Sequence, residues 1–476
     1  MQKNAEKEEK IKTIEKIALE WVKKNDGKKA INSYDSPRIS SEIADCSMCL
    51  TFDQYSYCSL GCIYCFAYFF KSNNPAMQKN GVVLKKINLP KMLKTMSGGY
   101  PDDEFYINFY QNKFILHWGG LGDPFCNFEN SNMTGYDLIK ELGEMNYPTL
   151  FSLKGGAILN KKYISLFEKY SKQGNFAFQF SIINFDDNIA NRIEVGVPSS
   201  SARIKAMEIY SQMGYWTVLR LRPFIVGVSD LSLNKLLENG KKAGMSAIST
   251  EFFALDSRSN EGMKGRYDLL AAATGIEGGA KGLFKYYSKL SPKNRGGYLR
   301  LNRLIKEIHV KKMYQFCLQN DVLFACSDPD FKELNMSGSC CGIPDNHPGI
   351  NKGLNNWSRE QLTEHLRLAR KEYHTSGRLM KLKFETVYNK KQAKYLSQNA
   401  GNHPCVVNLS QGGRGTLTYE KILNETWNNL KSPGNPYNYF DGKLSPSEIE
   451  NGNIIYEYSP SEYEQRWSEE GINLAK

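Results

Sequence analysis

Between residues 45 and 330, short apolar runs alternate with helical patterns, and this alternation constrains the fold more than any other feature. The runs are FILHW (114–118), TLFSL (149–153), FAFQFSI (176–182), WTVLRLRPFIV (216–226), SAISTEFFAL (246–255) and VLFAC (322–326). Stretches such as SARIKAMEIYSQMG and LSLNKLLENGKKAG, patterned as helices, lie between them. Strand–helix alternation predicts an α/β fold, a parallel sheet with crossover helices, either open or closed into a barrel. Chemistry in such folds gathers at the carboxyl ends of the strands.

The flanks read differently. Residues 1–44 are expected to form an N-terminal helix and linker: Ile11, Ile14, Ile17, Ala18 and Trp21 recur at helical spacing, and INSYDSPRISSE follows. Residues 45–345 form the strand–helix region, and 346–476 an accessory region with helical stretches at 359–373 and around 385–397. Of the 476 residues 41% are hydrophobic and 24% charged, which supplies a globular core and excludes a disordered chain, a collagen or a disulfide miniprotein. No stretch approaches the roughly 20 apolar residues that cross a bilayer. The start, MQKNAEKEEKIK, carries no apolar signal core, so the expected setting is cytoplasmic, without a membrane partner.

A chain in that setting keeps its thiols reduced, so clustered cysteines point to metal or redox chemistry. Of the 11 cysteines, Cys46, Cys49, Cys58, Cys62 and Cys65 fall close together. CSLGCIYCFA (58–67) spaces Cys58, Cys62 and Cys65 as C-x3-C-x2-C. Three thiolates on one tight loop can hold three corners of a [4Fe–4S] cube and leave the fourth iron open to a small chelating molecule. Zinc is the alternative, with Cys46 and Cys49 as a further pair of ligands.

C-x3-C-x2-C with an aromatic residue before the last cysteine and FA after it resembles the radical S-adenosylmethionine (SAM) superfamily. Further motifs resemble the branch that includes spore photoproduct lyase. HWGGLGDPFCNFE (117–129) resembles its glycine motif, and FSLKGG (151–156) its strand ending in Thr-Lys. Residues 180–230 match its next unit through Ser181, Arg192, Glu194, Pro198, Arg203, Gly214, Pro223, Gly227 and Asp230. The resemblance implies a partial (β/α)6 barrel, a [4Fe–4S] cluster on Cys58, Cys62 and Cys65, and SAM on the open iron. It places Gly119 and Gly120 at the SAM amino group and Lys154 at its carboxylate, with Asp123, Ser181, Glu194 and Arg203 completing the cofactor site. It also implies an external electron donor of flavodoxin or ferredoxin type. The residues alone admit plainer roles: Lys154 and Arg203 as solvent-facing charges, Asp123 as a turn residue, Glu194 and Arg203 as a structural ion pair.

A second cysteine group, CSDPDFKELNMSGSCCGIP (326–344), follows the last apolar run. Cys326, Cys340 and Cys341 offer an auxiliary iron–sulfur cluster, with a fourth ligand from Cys317, Cys46 or Cys49. Alternatively one thiol, Cys341, donates a hydrogen atom to a substrate radical, or the cysteines simply pack. Cys126, past the Asp-Pro-Phe turn, is a second candidate near substrate.

For the substrate, the net charge of +12 permits a polyanion partner. RKEYHTSGRLMKLKFETVYNKKQAKYLSQ (370–398) interleaves basic residues with Tyr373, Phe384, Tyr388 and Tyr395, a composition suited to phosphates and unstacked bases. The alternative is a helix whose aromatics face the core. The expected function is a radical SAM enzyme that abstracts hydrogen from a nucleobase in DNA or RNA. A peptide or small metabolite is the alternative substrate, and a metal-stabilised nucleic-acid-binding protein the alternative without catalysis.

Overall fold

The computed structural model describes residues 22–34, 38–39, 48, 50–67, 83–98, 110–111, 113–256, 261–291, 294–295, 298–344, 347–350, 359–388 and 422–476, and single positions between 9 and 20. Cys46, Cys49, Cys405, Tyr395 and the apolar positions of the expected N-terminal helix lie outside the described residues, as does most of the stretch around 385–397.

Seven parallel strands form the central sheet: β1 (Leu50–Phe52), β2 (Leu116–Trp118), β3 (Thr149–Leu153), β4 (Phe176–Ser181), β5 (Trp216–Phe224), β6 (Ala247–Phe252) and β7 (Leu323–Cys326). Each pairs with the next in sequence, and the short strand Arg38–Ile39 adds antiparallel to the outside of β1. Sequential order with helical crossovers is the (β/α) barrel arrangement, and β7 does not pair back to β1, so the barrel is partial. It has one strand more than the six that the family resemblance implies.

The crossover helices are α1 (Leu89–Met96), α2 (Thr134–Glu144), α3 (Lys161–Tyr170), α4 (Ser200–Gln212), α5 (Leu233–Lys242) and α6 (Arg303–Asn320). Helix α3 shows why they form. The Asn160 side chain caps it by accepting the Lys162 N–H at 3.0 Å, and Tyr163, Leu166, Phe167 and Tyr170 fall on one buried stripe. That stripe meets the outward face of the sheet in an aromatic layer. Phe167 lies edge-on to Phe151, Phe176 and Phe178 at 5.6, 5.4 and 5.0 Å between ring centres.

Side chains alternate across a strand, and paired residues of parallel strands share a face. Phe178, Leu219, Ile248 and Phe324 therefore belong to the outer core with the helices. The concave face is graded. At its amino-terminal end Leu150, Ala177, Val218 and Ala247 form an apolar floor with Cys341, Ile343 and Ile350. Residues 339–344 and 347–350 close this end from below. The Gln179 side chain donates to the Cys341 carbonyl at 2.6 Å, Ser249 to the Cys340 carbonyl at 2.9 Å and Trp216 to the Gly342 carbonyl at 2.8 Å. Gly342 lets the segment come this close: at φ +75°, a Cβ would lie 3.1 Å from Val218 Cγ1 and 3.2 Å from Ala247 Cβ. Towards the carboxyl end the same face turns polar, through Ser152 and Ser181 to Arg220, Arg222 and Glu251.

Between β6 and β7 two helices (Glu261–Ala273 and Gly279–Leu290) and a small sheet that ends in Tyr298–Arg300 stand over the barrel mouth. The carboxyl-terminal part forms a three-stranded sheet of β8 (Lys381–Leu382), β10 (Asn453–Tyr458) and β9 (Leu444–Glu450). Helices α7 (Arg359–Ser376) and α8 (Glu462–Glu469) accompany it. Its core is continuous with the barrel's: Trp467 packs on Tyr314 of α6, Lys443 pairs with Glu333 at 2.8 Å, and the Tyr463 hydroxyl donates to Glu333. Among the described residues no helix is long and apolar enough to cross a membrane.

Candidate cofactor and substrate site

The chain leaves β1 as Asp53-Gln54-Tyr55, and these residues clamp the glycine loop that follows β2. Asp53 accepts the Leu121 and Gly122 N–H groups at 2.9 and 2.6 Å. Gln54 donates to the Pro124 carbonyl at 2.6 Å and accepts from the Trp118 indole at 2.7 Å. The buried Glu129 carboxylate accepts from Tyr55 at 2.5 Å, from Tyr163, and from the Gly135 N–H at 2.9 Å. Burial raises its pKa, and these donors oppose the rise. The cysteine loop and the glycine loop are thus held as one unit. Ser59 accepts the Asn127 N–H at 3.0 Å, and the Cys58 thiol contacts buried Cys126.

Cys58, Cys62 and Cys65 stand on this loop at the carboxyl end of the sheet, Cys62 buried and the others half-buried. The contact with Cys126, followed by burial, raises the Cys58 pKa. Burial raises that of Cys62 against the pull of Lys154, and that of Cys65 against Arg266. The free thiols are therefore protonated at neutral pH, and a metal must displace those protons, with the two cations beside them offsetting the thiolate charge. Among the described residues no three Cys, His, Asp or Glu side chains converge to hold one ion. Cys46 and Cys49, the further pair of the zinc alternative, lie outside the described residues. Three thiols on one loop are donors of the kind that an iron–sulfur cube takes.

Lys154, at the end of β3, lies with its Nζ 5.6 Å from the centre of the Tyr64 ring, between two of the cysteines in sequence. Asp123 accepts the N–H groups of Phe125 at 2.8 Å, of Gly155 at 3.0 Å and of Lys154. It therefore ties the glycine loop to the Lys154 turn. Gly119 sits at φ +105° with its N–H on the Phe52 carbonyl at 2.9 Å. A Cβ there would lie 2.4 Å from the Ser152 carbonyl oxygen, so only glycine fits. Gly120 follows on the same half-buried turn.

Glu194 and Arg203 form a buried ion pair at 2.7 Å, their side chains 0% and 3% exposed. Arg203 also donates to the Ser181 carbonyl at 2.6 Å, and the Tyr64 hydroxyl donates to Glu194. Glu194 and Val195 pair antiparallel with Cys62 and Gly61. The pair thus braces the cysteine loop against the end of β4, in agreement with the ion-pair alternative that the residues alone admit.

The second cysteine group is divided by the sheet. Cys326 pairs with Thr250 and points into the outer core with Phe324, its N–H on Asn335 Oδ1 at 2.6 Å. Cys340 and Cys341 lie on the concave side, their thiols in mutual contact. Cys317 is buried in the outer core. An auxiliary cluster on Cys326, Cys340 and Cys341 together is therefore not the arrangement found, because ligands of one cluster must share a side of the sheet. The aromatics of 370–388 are likewise turned inward. Phe384 and Tyr388 are buried around Trp427 at 5.3 and 6.1 Å, so neither is presented to a nucleobase, while half-buried Tyr373 packs at a tilt against Tyr458.

The residues that reading motifs passed over are Asp53, Gln54, Tyr64, Glu129, Arg220, Arg222 and Glu251. For the last three a signal was available: charged residues at alternate positions inside otherwise apolar strand runs, WTVLRLRPFIV and SAISTEFFAL.

No family model matches this chain, and no curated protein matches it. Solved structures do show likeness. A spore photoproduct lyase variant is 14% identical over 62% of this chain and 80% of that one, with a TM-score of 0.45. Spore photoproduct lyase complexed with dinucleoside spore photoproduct is 14% identical over 64% and 83%, with a TM-score of 0.44. Streptococcus suis SuiB bound to precursor peptide SuiA is 13% identical over 58% and 48%, with a TM-score of 0.35.

Proposed function

We propose that this chain is a radical SAM enzyme that acts on a nucleobase-bearing substrate held in the open mouth of its partial barrel. The observation that carries the reading is the placement of Cys58, Cys62 and Cys65 on one loop at the carboxyl end of the sheet, braced by Tyr64–Glu194–Arg203 and facing Lys154. When bound, a [4Fe–4S] cluster with SAM supplies a 5′-deoxyadenosyl radical, the species that abstracts hydrogen.

The protein's own residues have separable tasks. Cys58, Cys62 and Cys65 would hold three irons of the cluster as thiolates. Lys154 offers a cation at the strand end for the SAM carboxylate. Asp123 and Gly119 set the turns that bring the glycine loop against β3. The closed floor of the barrel keeps bulk water from entering from below. The proposed thiol that returns a hydrogen atom is Cys126, buried against Cys58, or Cys341, which contacts Cys340 within electrostatic range of Arg222. The electron comes from a flavodoxin- or ferredoxin-type donor.

A nucleobase remains the proposed target, carried by the family resemblance and by the cationic barrel mouth rather than by the 370–398 stretch. A peptide or metabolite is the second reading. The test is 5′-deoxyadenosine formation by the anaerobically reconstituted, reduced protein, with DNA, RNA or mononucleotides added. Stimulation by one of these, with a modified nucleoside in the digest, is the expected result. SAM cleavage indifferent to all of them moves the substrate to a peptide or metabolite, and full activity of Cys62→Ala ends the radical reading altogether.

A further inference from the structure

Three guanidinium groups crowd the carboxyl end of the concave face: Arg220 and Arg222 from β5, and Arg300 from the sheet that overhangs the mouth. Among the described residues one carboxylate answers them. Glu251 accepts from Arg222 at 2.7 Å and from Ser327 at 2.8 Å, and lies 3.6 Å from Arg300. The other groups bonded to this set are neutral: Ser181 Oγ is 3.2 Å from Arg220, which also reaches the Arg222 carbonyl at 3.4 Å. Arg220 Nε and Arg222 Nε are buried without a hydrogen-bond partner among the described residues, and buried Arg300 Nη1 has no hydrogen bond beyond its 3.6 Å approach to Glu251. Buried donors in that state carry a desolvation cost that a ligand can repay. The electrostatics agree: burial and the neighbouring Arg222 push Arg220 down to about 10.

We propose that Arg220, Arg222 and Arg300 form a subsite for the dianionic phosphoryl group of the substrate. The proposal rests on the nucleobase reading above and narrows it to a nucleoside monophosphate unit. Three positive groups and one negative leave a surplus of two charges. A phosphomonoester carries about −1.5 to −2 at neutral pH and matches that surplus, whereas a carboxylate or an internal phosphodiester carries one charge. Guanidinium forks also suit the bidentate geometry of phosphate oxygens. Arg220 lies within electrostatic range of both Cys341 and Tyr64, so the subsite lies between the second cysteine pair and the cysteine loop. A nucleotide held there by its phosphate would place its sugar and base between the arginines and the cluster loop.

The test is anaerobic calorimetry on the full-length, iron-loaded chain with inorganic phosphate, the deoxynucleoside 5′-monophosphates, the corresponding deoxynucleosides and methionine. Monophosphates are expected to bind at least tenfold tighter than their nucleosides. Arg222→Gln should reduce that preference to near unity, and Arg300→Gln, at the rim and less exposed to folding defects, should reduce it several-fold with Arg300→Lys restoring part. Equal affinity for nucleotide and nucleoside, or a preference untouched in Arg300→Gln and Arg222→Gln, overturns the subsite. Stoichiometric displacement of phosphate by methionine also overturns it, since the arginines would then serve the SAM carboxylate. The same samples are assayed for 5′-deoxyadenosine. Cleavage without phosphate binding sinks the subsite alone, and arginine-dependent phosphate binding without cleavage sinks the radical reading alone.

Discussion

Replacing Arg203 by methionine separates two roles that one residue cannot easily hold. Arg203 is 2% exposed and its partner Glu194 1%. Removing one partner of a buried pair leaves the other charge uncompensated and costs about 3–5 kcal/mol. Here the stranded group would be Glu194, which also accepts from the Tyr64 hydroxyl inside the cysteine loop. With an m-value of about 3 kcal/mol per M of urea, the first unfolding midpoint of Arg203→Met should fall by roughly 1 M or more. Glu194→Gln combined with Arg203→Met removes both charges and should recover much of that loss, because the desolvation penalty disappears with the pair. The assay is urea denaturation of the wild type, both single variants and the double variant, with iron content measured in parallel. A midpoint within about 0.3 M of wild type for Arg203→Met, together with lost SAM cleavage, would refute the bracing role and return Arg203 to the cofactor site.

Other outcomes follow from single features. Gly119→Ala forces a Cβ to 2.4 Å from the Ser152 carbonyl at φ +105°, and should cost about 1–3 kcal/mol or more in thermal unfolding. An unchanged melting temperature would show that the glycine loop sits differently. Cys326→Ala should leave iron per chain unchanged while Cys62→Ala lowers it; iron lost in Cys326→Ala would place that thiol on a cluster after all. Burial pushes Glu251 up, but Arg222 and Arg300 outweigh it and hold its pKa at about 2 against an ordinary 4.5. Its stabilising contribution is thus present above pH 4.5 and lost as pH falls towards 2, about 3 kcal/mol in all. The difference in stability between wild type and Glu251→Gln should shrink across that window, and a difference that stays constant would contradict the pairing.

The strand–helix alternation and the three-cysteine loop were legible because both are local. Strand length, helix stripes such as Tyr163, Leu166, Phe167 and Tyr170, and the C-x3-C-x2-C spacing all lie within a dozen residues of chain. The six apolar runs are β2 to β7, whereas β1, the three-residue LTF (50–52), is too short to stand out in the sequence and is recognised only by its pairing with β2.

Which face each residue takes was decided only in three dimensions. Leu323, Phe324, Ala325 and Cys326 are all apolar, so a strand buried on both sides shows no alternation from which the side of Cys326 could be read. The same holds for Phe384 and Tyr388, whose basic neighbours suggested an exposed surface but whose rings fill the core around Trp427. Conversely, Arg220, Arg222 and Glu251 come from two strands, and their charges meet because β5 and β6 pair in parallel register. A sequence can determine the local conformations and the chemical inventory of this protein. The assembly of that inventory into a cationic barrel mouth facing three cysteines depends on register and crossover, which are set by the packing of the whole sheet.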